Sequence, residues 1–122
     1  MYRTLLLLAL LGTLSFAQGE PLRWDSKTLE LFPSSSEKTV RADFGFTNTG
    51  REPVEIDSVK SSCGCTTVSL EKRVYQPGEK GHITGILTPG RHSGVITKGI
   101  SVKIKGESKP TVLLMVTHIG EH

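Results

Sequence analysis

From Gln18 onward the chain alternates apolar and polar residues in steps of two, and this period constrains its fold more than any other feature. In TVRADFGFTNTG, Val40, Ala42, Phe44 and Phe46 share one parity, and Arg41, Asp43, Gly45 and Thr47 share the other. Side chains of an extended strand point alternately to opposite faces, so the first set is predicted to face a core and the second to face solvent. Asn48, Thr49 and Gly50 then turn the chain. In EPVEIDSVK, Val54 and Ile56 continue inward, and the parity slips by one to bring in Val59, which predicts a bulge near Asp57 or Ser58. RVYQ reads as an edge segment, and Pro77-Gly78 as the centre of a type II turn. A strand is predicted from Gly81 to Leu87, and another in VITKGISVKIKG with Ile96, Ile100, Val102 and Ile104 on one side. The last segment, TVLLMVTHIG, is apolar at both parities, which predicts a strand between neighbours and covered on both faces, with His118 sharing the inward parity of Val112, Leu114 and Val116. Leu22-Arg23-Trp24 and Leu29-Glu30-Leu31 add short strands near the start, with Trp24 as a core or rim anchor. No stretch carries a sustained helical stripe. About seven strands in roughly 100 residues predict a two-sheet antiparallel β-sandwich of immunoglobulin type, with a small closed barrel as the alternative.

The residues before this pattern read as an export signal. Met1 to Arg3 is a short basic start, Leu5 to Leu11 is apolar, and Ser15-Phe16-Ala17 offers small residues before a cut at Gln18. The apolar run is too short to span a hydrocarbon core of about 30 Å comfortably, and no stop-transfer pattern follows it. Residues 1–17 are therefore expected to be a signal peptide, and residues 18–122 one periplasmic or secreted domain that does not span the membrane. Against 15 basic residues stand 12 acidic ones, and losing Arg3 leaves the mature chain near a net charge of about +2. Without a basic stripe interleaved with aromatics, the composition argues against a nucleic-acid partner.

The only two cysteines, Cys63 and Cys65, flank Gly64. Two are too few to staple a small domain, so burial of apolar side chains must hold the core. In an extended strand both sulfurs would face the same way with Cα atoms roughly 6.5 Å apart, so a bond between them needs a turn, which Gly64 permits. Four readings are open for the pair. It is a set of small hydrophobes shaping a turn, a reversible disulfide or redox dithiol, a soft clip suited to Cu(I), or a nucleophile. The last lacks support, because no signature pairs a histidine and an acid with either thiol. The histidines offer little help as auxiliary ligands. His82 and His92 read as solvated, His118 as half-buried near a strand end, and His122 as terminal. Asn48, Gly50, Gly64, Pro77 and Gly78 read as structural turn residues.

Phe44, Phe46, Asn48-Thr49-Gly50, Pro53-Val54, Ser62-Cys63-Gly64-Cys65-Thr66 and Pro77-Gly78-Glu79 occur in the order, and at spacings compatible with, an exported bacterial family. Over this central third the chain resembles the domain of unknown function 1573 family, a relative of the immunoglobulin-like modules of ciliary and centrosomal proteins. The resemblance implies that fold and a location outside the cytoplasm, and supplies no catalytic residues. Two loops depart from the family's habit. LFPSSSEKTV has Ser34-Ser35-Ser36 where such domains carry a glycine-bearing hairpin, and the closing hairpin from Lys105 to Pro110 is short. With no paired carboxylates, nucleophile elbow or phosphate-cradling loop, an enzyme is not expected. The expected function is a non-catalytic exported binding or scaffold module for an unidentified protein or envelope component. The alternative is a small periplasmic Cu(I)-binding or thiol-redox protein acting through Cys63 and Cys65.

Overall fold

The structure, a computed structural model, describes residues 20–120. The expected signal peptide, its cut before Gln18, and His122 lie outside the described residues. The described residues form nine strands and no helix: β1 (Arg23–Trp24), β2 (Thr28–Leu31), β3 (Val40–Thr47), β4 (Val54–Ser61), β5 (Thr66–Leu70), β6 (Val74–Tyr75), β7 (Lys80–Leu87), β8 (Gly94–Ile104) and β9 (Thr111–Ile119). They make two separate sheets, ordered β1-β3-β7-β5 and β2-β9-β8-β4-β6. This is an immunoglobulin-like sandwich rather than a closed barrel.

The core lies where the alternation puts it. Val40, Ala42, Phe44 and Phe46 are all buried, and they meet Ile56, Ile100, Val102 and Ile104 of the second sheet. Phe46 packs edge-on against Tyr75 with ring centroids 4.7 Å apart, and Trp24, half-buried, leans on its other side at 5.1 Å. The register of β4 on β8 shifts between Ile56 and Ser58, the bulge that the slip in parity required.

Three features differ from the sequence reading. The strand count exceeds seven because Thr66–Leu70 pairs with β7 as an edge strand and because the edge segment RVYQ forms a two-residue strand of its own at Val74–Tyr75, while Arg23–Trp24 is one of the short strands expected near the start. The sandwich is not wholly antiparallel, since β2 runs parallel to β9. The amino-terminal segment switches sheets without reversing direction. Asp25 N–H donates to Gly45 in the first sheet, Leu114 N–H donates to Lys27 in the second, and the chain that was antiparallel to β3 thus continues parallel to β9. Third, β9 does lie between neighbours but is covered on one face only. Leu113, Met115 and Thr117 point into the core, while Val112 is 50% exposed and Leu114, Val116 and His118 share its outward parity. Parity could not settle this, because both faces of TVLLMVTHIG are apolar. His118 therefore lies on the outer face, stacked on Phe32 at 4.5 Å and 3.4 Å from a Glu30 carboxylate oxygen.

Candidate functional site

The connection from β4 to β5 passes from one sheet to the other and contains the cysteines, in a turn rather than in an extended strand. Cys63 and Cys65 are joined by a disulfide, with their Cα atoms 5.5 Å apart. Local polar groups hold the turn. The Ser61 hydroxyl donates to the Cys63 carbonyl at 2.8 Å, and the Cys65 N–H points at the Cys63 sulfur at 3.3 Å. Flanking backbone ties it to both sheets. Ser62 N–H donates to Gly99 O at 2.8 Å and Gly99 N–H donates to the Ser62 hydroxyl at 3.1 Å, fixing one side to β8. On the other side, Thr88 N–H donates to Cys65 O at 2.9 Å, at the end of β7. Both cysteines are half-buried, and Cys65 packs against the edge of the core.

Between the two sheets at this end lies a cleft of about 260 Å³, lined by Cys65, Leu87, Ile96, Lys98 and the loop from Thr88 to His92. This is smaller than the usual site for a drug-sized molecule, so it suits a side chain or a small charged group. Leu87 and Ile96 give it an apolar floor, while Arg91, His92 and Lys98 bring basic groups, and no carboxylate lines it. Lys98 is the unusual member. It has the inward parity of Ile96 and Ile100, is half-buried, and makes no ion pair among the described residues.

The other singled-out residues lie elsewhere. Asn48, Gly50, Pro77 and Gly78 are at the opposite end of the sandwich. Gly78 has φ +82° and Glu79 N–H donates to Gln76 O at 2.9 Å, so Pro77 and Gly78 occupy the central positions of a type II turn. Gly64 sits at the tip of the disulfide turn with open space where a Cβ would be. His92 is the one histidine on the cleft, while His82 pairs across to Gly45 in the first sheet. No group of three or more histidines, cysteines or carboxylates able to hold a metal ion occurs among the described residues. No helix among them is long and apolar enough to cross a membrane.

The sequence reading overlooked Lys98, although a signal was present: it interrupts the apolar parity Ile96, Ile100, Val102, Ile104 at the one position where a cation replaces an aliphatic residue. It also overlooked the nearness of the Thr88–His92 loop to the cysteines, which no local pattern encodes.

The sequence model of a family described as "Protein of unknown function (DUF1573)" matches residues 22–119. No curated protein matches the chain. Among solved structures, a protein of unknown function from Porphyromonas gingivalis W83 superimposes with a TM-score of 0.69 at 16% identity, over 86% of this chain and 51% of that one. The VesB protease of Vibrio cholerae does so with a TM-score of 0.61 at 16% identity, over 80% of this chain and 32% of the protease. The ASH/PapD-like domain 7 of human CEP192 gives a TM-score of 0.59 at 10% identity, over 84% of this chain and 87% of that domain. The chain thus spans about half of the first and a third of the second. Likeness at these identities is a likeness of fold.

Proposed function

The chain belongs to the family of proteins of unknown function DUF1573, and from that premise we propose that it is an exported, non-catalytic binding or scaffold module. It engages a protein or envelope component at the end of the sandwich that carries the Cys63–Cys65 turn. The observation that supports this reading is the cleft between the sheets, with an apolar floor, a basic rim and no carboxylate among its lining residues, Glu37 standing with Arg91 and His92 in the adjoining pocket. Such a surface favours a partner that inserts a small side chain and presents negative charge. The match to VesB covers a third of that protease, and nothing of its activity is carried over.

A photo-crosslinking residue at Thr88, on the cleft, should trap a discrete partner in the producing cell, and one at Glu107, at the opposite end, should not. Adducts from Glu107 alone, or equally from both positions, would overturn the assignment to this end. Export is checked by mass spectrometry of the envelope fraction, where a chain beginning at Gln18 is expected. The intact Met1 form in the membrane would refute it.

The second reading is a thiol-redox or Cu(I)-binding protein acting through Cys63 and Cys65. It is favoured by the disulfide forming part of the cleft wall. Cu(I) needs thiolates, so a carrier role belongs to the reduced protein alone, whereas thiol exchange starts from the pair as it stands. Anaerobic thiol titration with and without Cu(I) separates the two.

A further inference from the structure

Resting on the redox reading of the pair, we propose that Cys65 is the sulfur attacked and that the cleft selects thiols carrying a negative charge. Cys65 lines the cleft together with Lys98, Arg91 and His92, and no carboxylate is among the lining residues. Lys98 is placed there by the fold. Its neighbour Gly99 is clamped to Ser62 by two hydrogen bonds, at 2.8 and 3.1 Å, so the cation and the disulfide turn are held side by side. An anionic group bound beside Lys98 and Arg91 brings its own thiolate to the Cys65 sulfur, and the one carboxylate near the rim, Glu37, stands in the adjoining pocket rather than in the cleft.

The exchange balances in two steps. The incoming thiolate forms a bond to Cys65 Sγ as the Cys63–Cys65 bond breaks, and the electron pair leaves on Cys63 Sγ. The departing sulfur becomes negative where the Cys65 backbone N–H already points, at 3.3 Å, so the charge that develops meets a donor that need not move. A second thiolate then attacks the external sulfur of the mixed disulfide and releases Cys65 as a thiolate. Two external thiols are oxidised to one disulfide, and the Cys63–Cys65 pair takes up the two electrons. The protein is thereby an oxidant of anionic thiols, a class that includes cysteines in acidic peptides and small thiols bearing carboxylate or sulfonate.

The test uses the purified protein with three probe thiols: 2-mercaptoethanesulfonate (anionic), 2-mercaptoethanol (neutral) and cysteamine (cationic). Rates of disulfide opening are expressed per thiolate and corrected for intrinsic nucleophilicity. The anionic probe is expected to react roughly ten-fold faster than the neutral one at low ionic strength, with the cationic probe slowest. Added salt, and separately Lys98→Gln with Arg91→Gln, should erase the order, and the salt series stands on its own if the variant folds poorly. After acid quench and maleimide capture, tandem mass spectrometry should place the probe on Cys65 and the maleimide on Cys63. Equal corrected rates for the three probes, or the adduct on Cys63, would overturn the proposal while leaving a redox role for the pair. Failure of every probe to open the disulfide would remove both.

Discussion

The side-chain amide of Asn48 donates to the backbone carbonyl of Tyr75 at 2.9 Å, joining the loop after β3 to the edge strand β6 across 27 positions of sequence. The same amide donates to Glu52 O at 2.9 Å, its oxygen accepts from Gly50 N–H at 3.0 Å, and the residue is wholly buried. Its backbone completes the junction, with Gly78 N–H donating to Asn48 O at 2.7 Å. Asn48→Ala would leave the buried Tyr75 carbonyl unpaired and the part-buried Glu52 carbonyl and Gly50 N–H without their side-chain partner, at about 1–3 kcal/mol for each group that water cannot reach. A loss of roughly 2–4 kcal/mol in urea unfolding is expected. A loss below about 0.5 kcal/mol would show that water takes over the junction.

Tyr75 should respond in the opposite sense. Its ring is buried against Phe46, its hydroxyl lies near the Lys72 backbone amide without making a well-aligned hydrogen bond to it, and burial pushes its ionisation above the usual 10.0. Tyr75→Phe removes an uncompensated polar atom and keeps the packing, so equal or higher stability is expected, by up to about 1 kcal/mol. A clear loss on thermal unfolding would mean that the hydroxyl is hydrogen-bonded in solution.

Phe44 is 1% exposed, lies opposite Ile83 in the β3–β7 pair, and carries the alternation that defines the core face. Phe44→Ala should cost about 3–5 kcal/mol, the range for removing a buried aromatic side chain. Chemical denaturation with an unchanged m-value would attribute the loss to packing rather than to a different unfolded state.

Asp43 gives the protein an acid-sensitive contact. The Arg41 guanidinium, at 3.0 Å, and then the Thr84 hydroxyl, at 2.6 Å, hold its carboxyl below the ordinary 3.8 against the opposing effect of partial burial. A folded-state value below the unfolded one contributes stability that is fully present above 3.8 and is lost as pH falls through the folded value. Asp43→Asn should therefore be less stable than the parent at neutral pH, with the gap closing below 3.8. The group is about half-exposed, so the effect is expected to be small and weaker in salt. A gap independent of pH would contradict the assignment.

The Cys63–Cys65 bond closes a loop with one residue between its ends, which removes little freedom from the unfolded chain. Cys63→Ser with Cys65→Ser should therefore keep the fold at a cost of about 1–2 kcal/mol, because backbone hydrogen bonds from Ser62 and Cys65 tie the turn to both sheets independently of the sulfurs. Circular dichroism of the double variant should retain the β signature. Outright unfolding would make the bond structural.

The sandwich and its inner faces are written in the alternation, because a period of two allows Val40, Ala42, Phe44 and Phe46 only one way to be buried together. The slip between Ile56 and Val59 carried its bulge in the same way. Where that signal is double, as in TVLLMVTHIG, packing between the sheets selects the inner face. The facing sheet receives Leu113 and Met115, leaving Val112 and His118 outside, since a strand pattern that is apolar at both parities does not distinguish its faces. Only pairing could set β2 parallel to β9, because strand direction depends on which sheet accepts the amino-terminal segment. The cleft is likewise tertiary. Cys65 stands 27 residues before His92 and 33 before Lys98, and they meet because the β4–β5 turn converges with the β7–β8 loop and the start of β8 at one open end of the sandwich, and no periodicity within a segment records what another segment will place beside it.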